Sequence, residues 1–401
     1  MKTLIKAGLV YPVVSAPMPN RGIAIEDGKI TAVGQISEFN ESDFNNFIDL
    51  SEQVVLPGFV NAHCHLQFSA LRGKILPGPP FVDWIRKIIS LHYSQSEEEI
   101  MQGFRAGTRE MIETGTTAVG DISNDVKYAL ALADSPLTGV AFAEFIEPVE
   151  EKAEESAKKA RDTIAAYKKS RRATGVSPHA PYTVSGELFK KLKAFALEDS
   201  MPFTVHLAES PEEDEYIRNG NGALADLLVK RGYPGAIGAR NVSPVQLLEN
   251  YGVLDGALAV HLNQIDSDDR EILIKRRVVP VFCPGSSAWF GRKKVMPLKD
   301  LFDLGLNPAL GTDSLASNSS LSMLDELRAA EKFFPNISRK DLLECATING
   351  AKALGLNCGG IEKGKNADII AVGWSSLSNP VDAVFSTNRV NFVMIGGVEV
   401  L

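Results

Sequence analysis

An α/β fold built on a (β/α)₈ TIM-like barrel, with a small β-sandwich domain assembled from both chain ends, is what this sequence predicts. Three observations carry the prediction. Eight short apolar runs alternate with charge-rich amphipathic segments through the middle of a 401-residue chain, the texture that successive β-α units produce. Polar residues able to bind metal or move protons fall at the C-terminal ends of those runs, where a barrel places its reactive groups. Both ends of the chain, by contrast, read as short strands and turns.

In chain order, residues 1–56 are read as β-structure. Lys2 and Lys6 precede an apolar stretch, but Pro12, Pro17 and Pro19 interrupt it, so it is read as strand and loop rather than a signal peptide. Residues 23–33 predict a hairpin, because Asp27-Gly28 supplies the positive φ angles of a two-residue turn. The apolar runs cover 54–65, 116–123, 139–148, 173–183, 202–210, 257–265, 278–286 and 308–314. Helices are expected at 97–113, 150–172, 185–198, 223–231, 266–276, 321–333 and 339–354. In the second of these, Ala153, Ala157, Ala160, Ile164 and Tyr167 make one apolar stripe, and the charges around it are a solvated face. After Leu356 the texture returns to β, with a turn at Lys363-Gly364-Lys365-Asn366 and a final strand or hairpin at 392–400. The N-terminal strands have too little apolar surface to stand alone. The C-terminal segment is their natural partner, which sets 1–56 with 357–401 as the small domain and 57–356 as the barrel.

The bulk composition narrows the function. Hydrophobic content of 44% and charged content of 23% are ordinary for a globular protein. A net charge of −8 argues against a nucleic-acid surface. The cysteines Cys64, Cys283, Cys345 and Cys358 are scattered without C-x-x-C spacing, which suits a reducing compartment. With no apolar run of about 18 residues, no membrane span is expected. A cytoplasmic protein acting on a small molecule is the expectation.

The sharpest chemistry lies in Pro57-Gly58-Phe59-Val60-Asn61-Ala62-His63-Cys64-His65, where an apolar run climbs into a His-x-His pair. Side chains alternate faces along a strand, so His63 and His65 point one way and Cys64 the other. Two imidazoles on one face can close on one metal ion. Further candidates sit at later strand ends: His179, then His206 with Glu209, then His261, then Asp313. Five of the six histidines lie at such positions; His92 falls in a connecting segment and is read as a surface or loop residue. Three imidazoles and a carboxylate suit one divalent ion of borderline softness, Zn²⁺ first and Fe²⁺ as its rival. Such an ion acidifies a bound water, and Glu209 is placed to shuttle protons beside it. Cys283 is read as packing, since no partner base is evident.

The strand-1 motif, together with His206-Leu207-Ala208-Glu209, His261-Leu262-Asn263-Gln264 and Gly311-Thr312-Asp313-Ser314-Leu315-Ala316-Ser317-Asn318, resembles the amidohydrolase superfamily. The likeness is to its branch of cytosine, guanine, S-adenosylhomocysteine and aminodeoxyfutalosine deaminases and triazine chlorohydrolases. It covers essentially the whole chain, including Gly364-Lys365-Asn366-Ala367-Asp368-Ile369-Ile370. The resemblance implies His63, His65, His206 and Asp313 as ligands of a single metal. It makes Glu209 the proton shuttle, His261 the residue that orients the attacking hydroxide, Asp313 also its base, and His179 a residue at the substrate. Two-metal members carry a carbamylated lysine where His179 stands.

The implied reaction is attack of hydroxide on an electron-poor ring carbon, with loss of ammonia from an aminated purine-like or nucleoside-like ring. Residues 66–69 and 80–89 are closest to aminodeoxyfutalosine deaminases, in which an aromatic-rich loop covers the site. Trp84 in that loop either lines the pocket or packs the loop onto the barrel. Leu91-His92-Tyr93 stands where the S-adenosylhomocysteine group carries a ribose-binding Glu, which disfavours that substrate. The alternatives are chlorohydrolase or amide and ring hydrolysis on the same site, or a catalytically silent binding protein. Homodimers are common in the family.

Overall fold

The structure, a computed structural model, describes residues 1–170, 172–233, 239–375 and 379–401. The chain begins with β1 (Lys2–Val10), β2 (Met18–Glu26), β3 (Lys29–Gln35) and β4 (Asn46–Pro57). Eight strands follow: β5 (Phe59–Cys64), β6 (Thr116–Ser123), β7 (Thr138–Phe145), β8 (Ala173–Pro178), β9 (Thr204–Leu207), β10 (Leu258–His261), β11 (Val279–Phe282) and β12 (Ala309–Leu310). The last three are β13 (Ile369–Gly373), β14 (Phe392–Ile395) and β15 (Val398–Glu399).

The eight middle strands form the expected barrel. They pair in parallel as two four-stranded halves, β5-β6-β7-β8 and β9-β10-β11-β12. Parallel bridges Val176↔Phe203 and Cys64↔Asp313 join the halves at their two seams. Strands buried on both faces read as near-continuous apolar runs, and every residue of β5 and β6 is buried. One face (Val60, Ala62, Ile122, Phe142, Val260, Val281) fills the barrel interior. The other (Val119, Ala141, Val205, Ala259, Leu310) packs under the surrounding helices.

Those helices follow the sequence pattern closely. The stripe of Ala153, Ala157, Ala160, Ile164 and Tyr167 is the buried face of Ala153–Lys168; Arg171, near the end of the expected helix, lies outside the described residues. Asp266 caps Ser267–Lys275 in a capping box with Asp269. Two expectations need correction. The helix expected over 339–354 is broken into Arg339–Cys345 and Ile348–Ala353. Thr347, at φ −131°, turns the chain so that Gly350 lies directly on Val60, where a Cβ would come within 2.8 Å of its carbonyl oxygen. The expected aromatic loop after strand 1 is instead largely the helix Phe81–Ser94.

The strands from both chain ends form one seven-stranded mixed sheet, ordered β15-β14-β13-β4-β1-β2-β3. Asp27 and Gly28 adopt φ of 48° and 79°, the turn expected between β2 and β3. The sheet curls so that this turn meets the one before β15: a Cβ on Gly28 would lie 2.7 Å from the Gly396 carbonyl oxygen. Its inner face holds Ile5, Ile23, Ile25, Val55, Ile369 and Met394 as a separate core, while Val54, Leu56, Ile370 and Val393 join the core of the barrel. The β4 residue Pro57 is separated from β5 by Gly58 alone, and Gly58 donates its N–H to the Asp368 carbonyl at 2.9 Å. The sheet thus fixes where the His-x-His strand begins. Among the described residues no helix is long and apolar enough to cross a membrane.

The seam between β12 and β5 requires glycine. A Cβ on Gly311 would sit 2.8 Å from the His63 Cβ, closer than any real packing contact allows. We expect Gly311→Ala to cost about 1–3 kcal/mol through overpacking, measured by chemical denaturation.

Candidate active site

Strand ends bring the candidates together. β5 delivers His63 and His65, β9 delivers His206, and their ring nitrogens lie within 4.8 Å of one another. His65 Nε2 faces His206 Nε2 at 3.1 Å. Asp313 follows β12, with Oδ1 at 3.7 Å from His63 Nε2 and 3.9 Å from His65 Nε2. His261 ends β10 and packs its ring on His206, with centroids 5.6 Å apart.

Second contacts aim these groups. His206 Nδ1 is 2.8 Å from the His179 carbonyl oxygen, which turns its Nε2 toward the other imidazoles. Ser286 and Ser317 hydroxyls donate to Asp313 Oδ2 at 2.9 and 2.7 Å, leaving Oδ1 toward the histidines. Asn61 accepts from the Thr312 N–H at 3.2 Å and donates to its hydroxyl at 2.7 Å. The Thr312 and Asp313 N–H groups both donate to the His63 carbonyl, at 3.0 and 3.1 Å. Asp313 pays for this with a left-handed backbone at φ 57°, as do Ala208 at 52° and His261 at 79°. Non-glycine residues in that region cost about 1–3 kcal/mol each and cluster at functional sites.

The electrostatics suit a cation. Burial, reinforced by neighbouring imidazoles, pushes His65 down to about 3 and His206 well below its usual value. Their rings are therefore neutral and offer lone pairs. Burial works against the Asp313 carboxylate, but His63 and the neighbouring imidazoles outweigh it and hold the group well below the usual range. Both ring nitrogens of His63 and Nδ1 of His65 are buried without a hydrogen-bond partner. Ring nitrogens of His63, His65 and His206, gathered within 4.8 Å of one another beside the Asp313 carboxylate, fit a divalent ion.

Glu209 is buried at the end of the same β9 segment. Burial pushes its carboxyl up to about 7, against the opposing pull of Arg292. Arg292 Nη2 donates to Glu209 Oε1 at 2.7 Å, while Glu209 Oε2 lies 3.8 Å from His261 Nε2. The Ala208 and Glu209 N–H groups donate to the buried Glu213 carboxylate at 3.1 and 2.7 Å.

These groups open into a cavity of about 230 Å³, to which His65, His179, His206, Glu209, His261 and Asp313 all contribute. His179 Nδ1 is 2.7 Å from the Thr183 hydroxyl. Trp84 combines the two alternatives in its placement. It lines the cavity, and it packs the Phe81–Ser94 helix down, stacking on Phe81 at 5.6 Å and donating Nε1 to the Ala316 carbonyl at 2.8 Å. His92 corrects the sequence reading: it is on that helix, half-buried, edge-on to Phe68 at 5.0 Å, and lines the cavity.

Sequence reasoning also missed Arg292, Glu213 and Glu144. Arg292 lies in the segment that follows β11, and Glu213 on the helix Pro211–Asn219; neither carries a local signal. Glu144 lies at the end of β7, inside the apolar run 139–148, where the strand-end rule points to it once the strand's true end is known.

Residues 54–400 match the Amidohydrolase family. A 5-methylthioadenosine/S-adenosylhomocysteine deaminase of Thermoanaerobacter pseudethanolicus is 33% identical over 88% of this chain and 81% of its own. The crystal structure of Helicobacter pylori aminofutalosine deaminase in complex with methylthio-coformycin is 25% identical, with a TM-score of 0.87 and full coverage of both chains. An adenosine deaminase from Xanthomonas campestris with bound zinc is 25% identical, with a TM-score of 0.81 over 99% of this chain and 92% of its own. With its barrel, its histidine-rich strand ends and a match over most of its length, this chain belongs to the amidohydrolase family.

Proposed function

We propose that this protein hydrolytically deaminates an aminated purine-like ring carried on a nucleoside-type substrate, aminodeoxyfutalosine among the candidates, and releases ammonia. The observation that carries this reading is Glu209, a buried carboxyl held near neutrality beside the imidazole cluster. Relatives named as deaminases of methylthioadenosine and S-adenosylhomocysteine, and a structural neighbour named as an aminofutalosine deaminase, support the reaction class.

His63, His65, His206 and Asp313 would hold one divalent ion, Zn²⁺ with Fe²⁺ as rival; the nitrogen-rich donor set and the zinc in a related structure favour zinc. When bound, such an ion lowers the pKa of a water toward neutrality and so supplies a nucleophile. The chain's own groups do the rest. Asp313, its Oδ2 steadied by the Ser286 and Ser317 hydroxyls, takes up the proton of the attacking water. Glu209 carries a proton on Oε2 to the ring nitrogen next to the carbon under attack, while Arg292 pins Oε1. His261, 3.8 Å from Glu209 and neutral at a pKa of about 3, orients the nucleophile. His179 and Trp84 hold the ring. One C–O bond forms and one C–N bond breaks: the proton held by Asp313 passes to the amino group, which leaves as ammonia, and the hydroxyl proton on the attacked carbon returns to Glu209 as the carbonyl forms.

Three outcomes test this. Glu209→Gln lowers kcat by about 10²–10⁴-fold, the usual worth of general acid–base catalysis, with bound metal unchanged by elemental analysis; retained turnover would sink the assignment. His65→Ala and His206→Ala cut bound metal from one equivalent to a small fraction, and a chelator lowers the melting temperature of the loaded wild type but not of these variants. In Arg292→Ala the loss of the guanidinium removes the pull that lowers the Glu209 pKa. Glu209 acts in its protonated form, so activity is lost as pH rises through that pKa, and the basic limb of kcat/KM moves to higher pH in the variant.

A further inference from the structure

Three carboxylates line the cavity, Glu144, Glu209 and Asp313. Two are engaged: Glu209 accepts from Arg292, and Asp313 from Ser286 and Ser317. Glu144, at the end of β7, is not: its Oε1 is buried with no hydrogen-bond partner. A desolvated acceptor left without a donor costs free energy and calls for a partner that the protein itself does not supply.

A second cation is the first alternative, because a Glu144 oxygen lies within 4.8 Å of ring nitrogens of His179 and His206. His206 cannot serve it. Its Nδ1 is engaged by the His179 carbonyl at 2.8 Å, and its Nε2 faces His65 at 3.1 Å. The surroundings of Glu144 are instead those of an uncharged polar ligand. Ser123 pairs with Ala143 and Phe145 with Pro178, so Asn124, Glu144 and His179 end three neighbouring strands side by side, and all three line the cavity. Much of the remaining lining is apolar, including Ile85, Ile88, Leu224 and Leu228.

Burial pushes the Glu144 carboxyl up to about 7; in its carboxylate form it is an acceptor with two oxygens and no donor. Its match is a pair of adjacent O–H donors, and such charge-assisted bonds are stronger than neutral ones. We propose that Glu144 is the sugar-reading residue of the cavity: it accepts the vicinal hydroxyls of a ribose and makes the protein select ribonucleosides over their 2′-deoxy counterparts. The inference rests on the nucleoside reading above and goes beyond it by naming the part of the substrate that is recognised and the residue that recognises it.

The test compares kcat/KM for adenosine-type substrates and their 2′-deoxy forms in the metal-loaded wild type, Glu144→Gln and Glu144→Ala. Binding of coformycin and 2′-deoxycoformycin is measured in parallel by calorimetry. The wild type should favour the ribose form by about 10- to 100-fold, the worth of a hydrogen bond to a charged group. Glu144→Ala should bring the ratio to within about threefold of unity, by losing the ribose form alone, with Glu144→Gln in between. The same ratio in all three proteins overturns the inference and leaves deamination standing. A fall in bound metal in Glu144→Gln makes Glu144 a metal ligand and also overturns it. If the wild type neither deaminates nor binds any of these nucleosides, the reading of the reaction fails first, and the inference with it.

Discussion

The reaction end of this protein depends on one backbone contact, the closing of the barrel where Thr312 and Asp313 donate to the carbonyl of His63. That seam brings a residue from the last barrel strand within 4 Å of one from the first, separated by some 250 positions in the chain. It is made possible by the absence of a side chain at Gly311 and is braced by Asn61, which bonds Thr312 through both ends of its amide. Without it the carboxylate would not face the imidazoles, and three buried histidines would lack a charge to offset a cation.

Around that seam the protein balances burial against charge. Burial alone would neutralise Glu209; the equally buried Arg292, itself over the Phe290 ring at 4.5 Å, opposes this. The aromatic group of Phe81, Trp84 and Phe290 ties the Phe81–Ser94 helix to the same guanidinium, since Arg292 also lies 5.5 Å from the Phe81 ring. The cover over the cavity and the candidate proton shuttle are therefore mechanically connected. A change in the packing of one is felt as a change in the field at the other.

The seven-stranded sheet looks remote from this chemistry but is continuous with it. β13 pairs with β4 as far as Pro57, and two residues later β5 begins. Register in a strand has period two, so a slip of one residue would turn His63 and His65 away from His206 and Cys64 toward it. Anchoring the start of β5 in a sheet made from both chain ends guards against that slip.

The sequence by itself determined the elements and most of the candidate site residues. Parallel strands buried on both faces leave unbroken apolar runs, and barrel chemistry sits where those runs end, so His63, His65, His179, His206, Glu209, His261 and Asp313 were legible from local pattern. The helical stripe of Ala153 to Tyr167 was legible for the same reason, as a periodicity of one face. Only the tertiary structure decided what those residues meet. His92 became part of the cavity because its helix folds back over the barrel mouth, and Glu144 stood out once its neighbours left it without a partner. Arg292 found Glu209 across 83 positions. Such pairings are set by closure of the barrel and by burial, which depend on the whole chain and leave no mark on any single stretch of it.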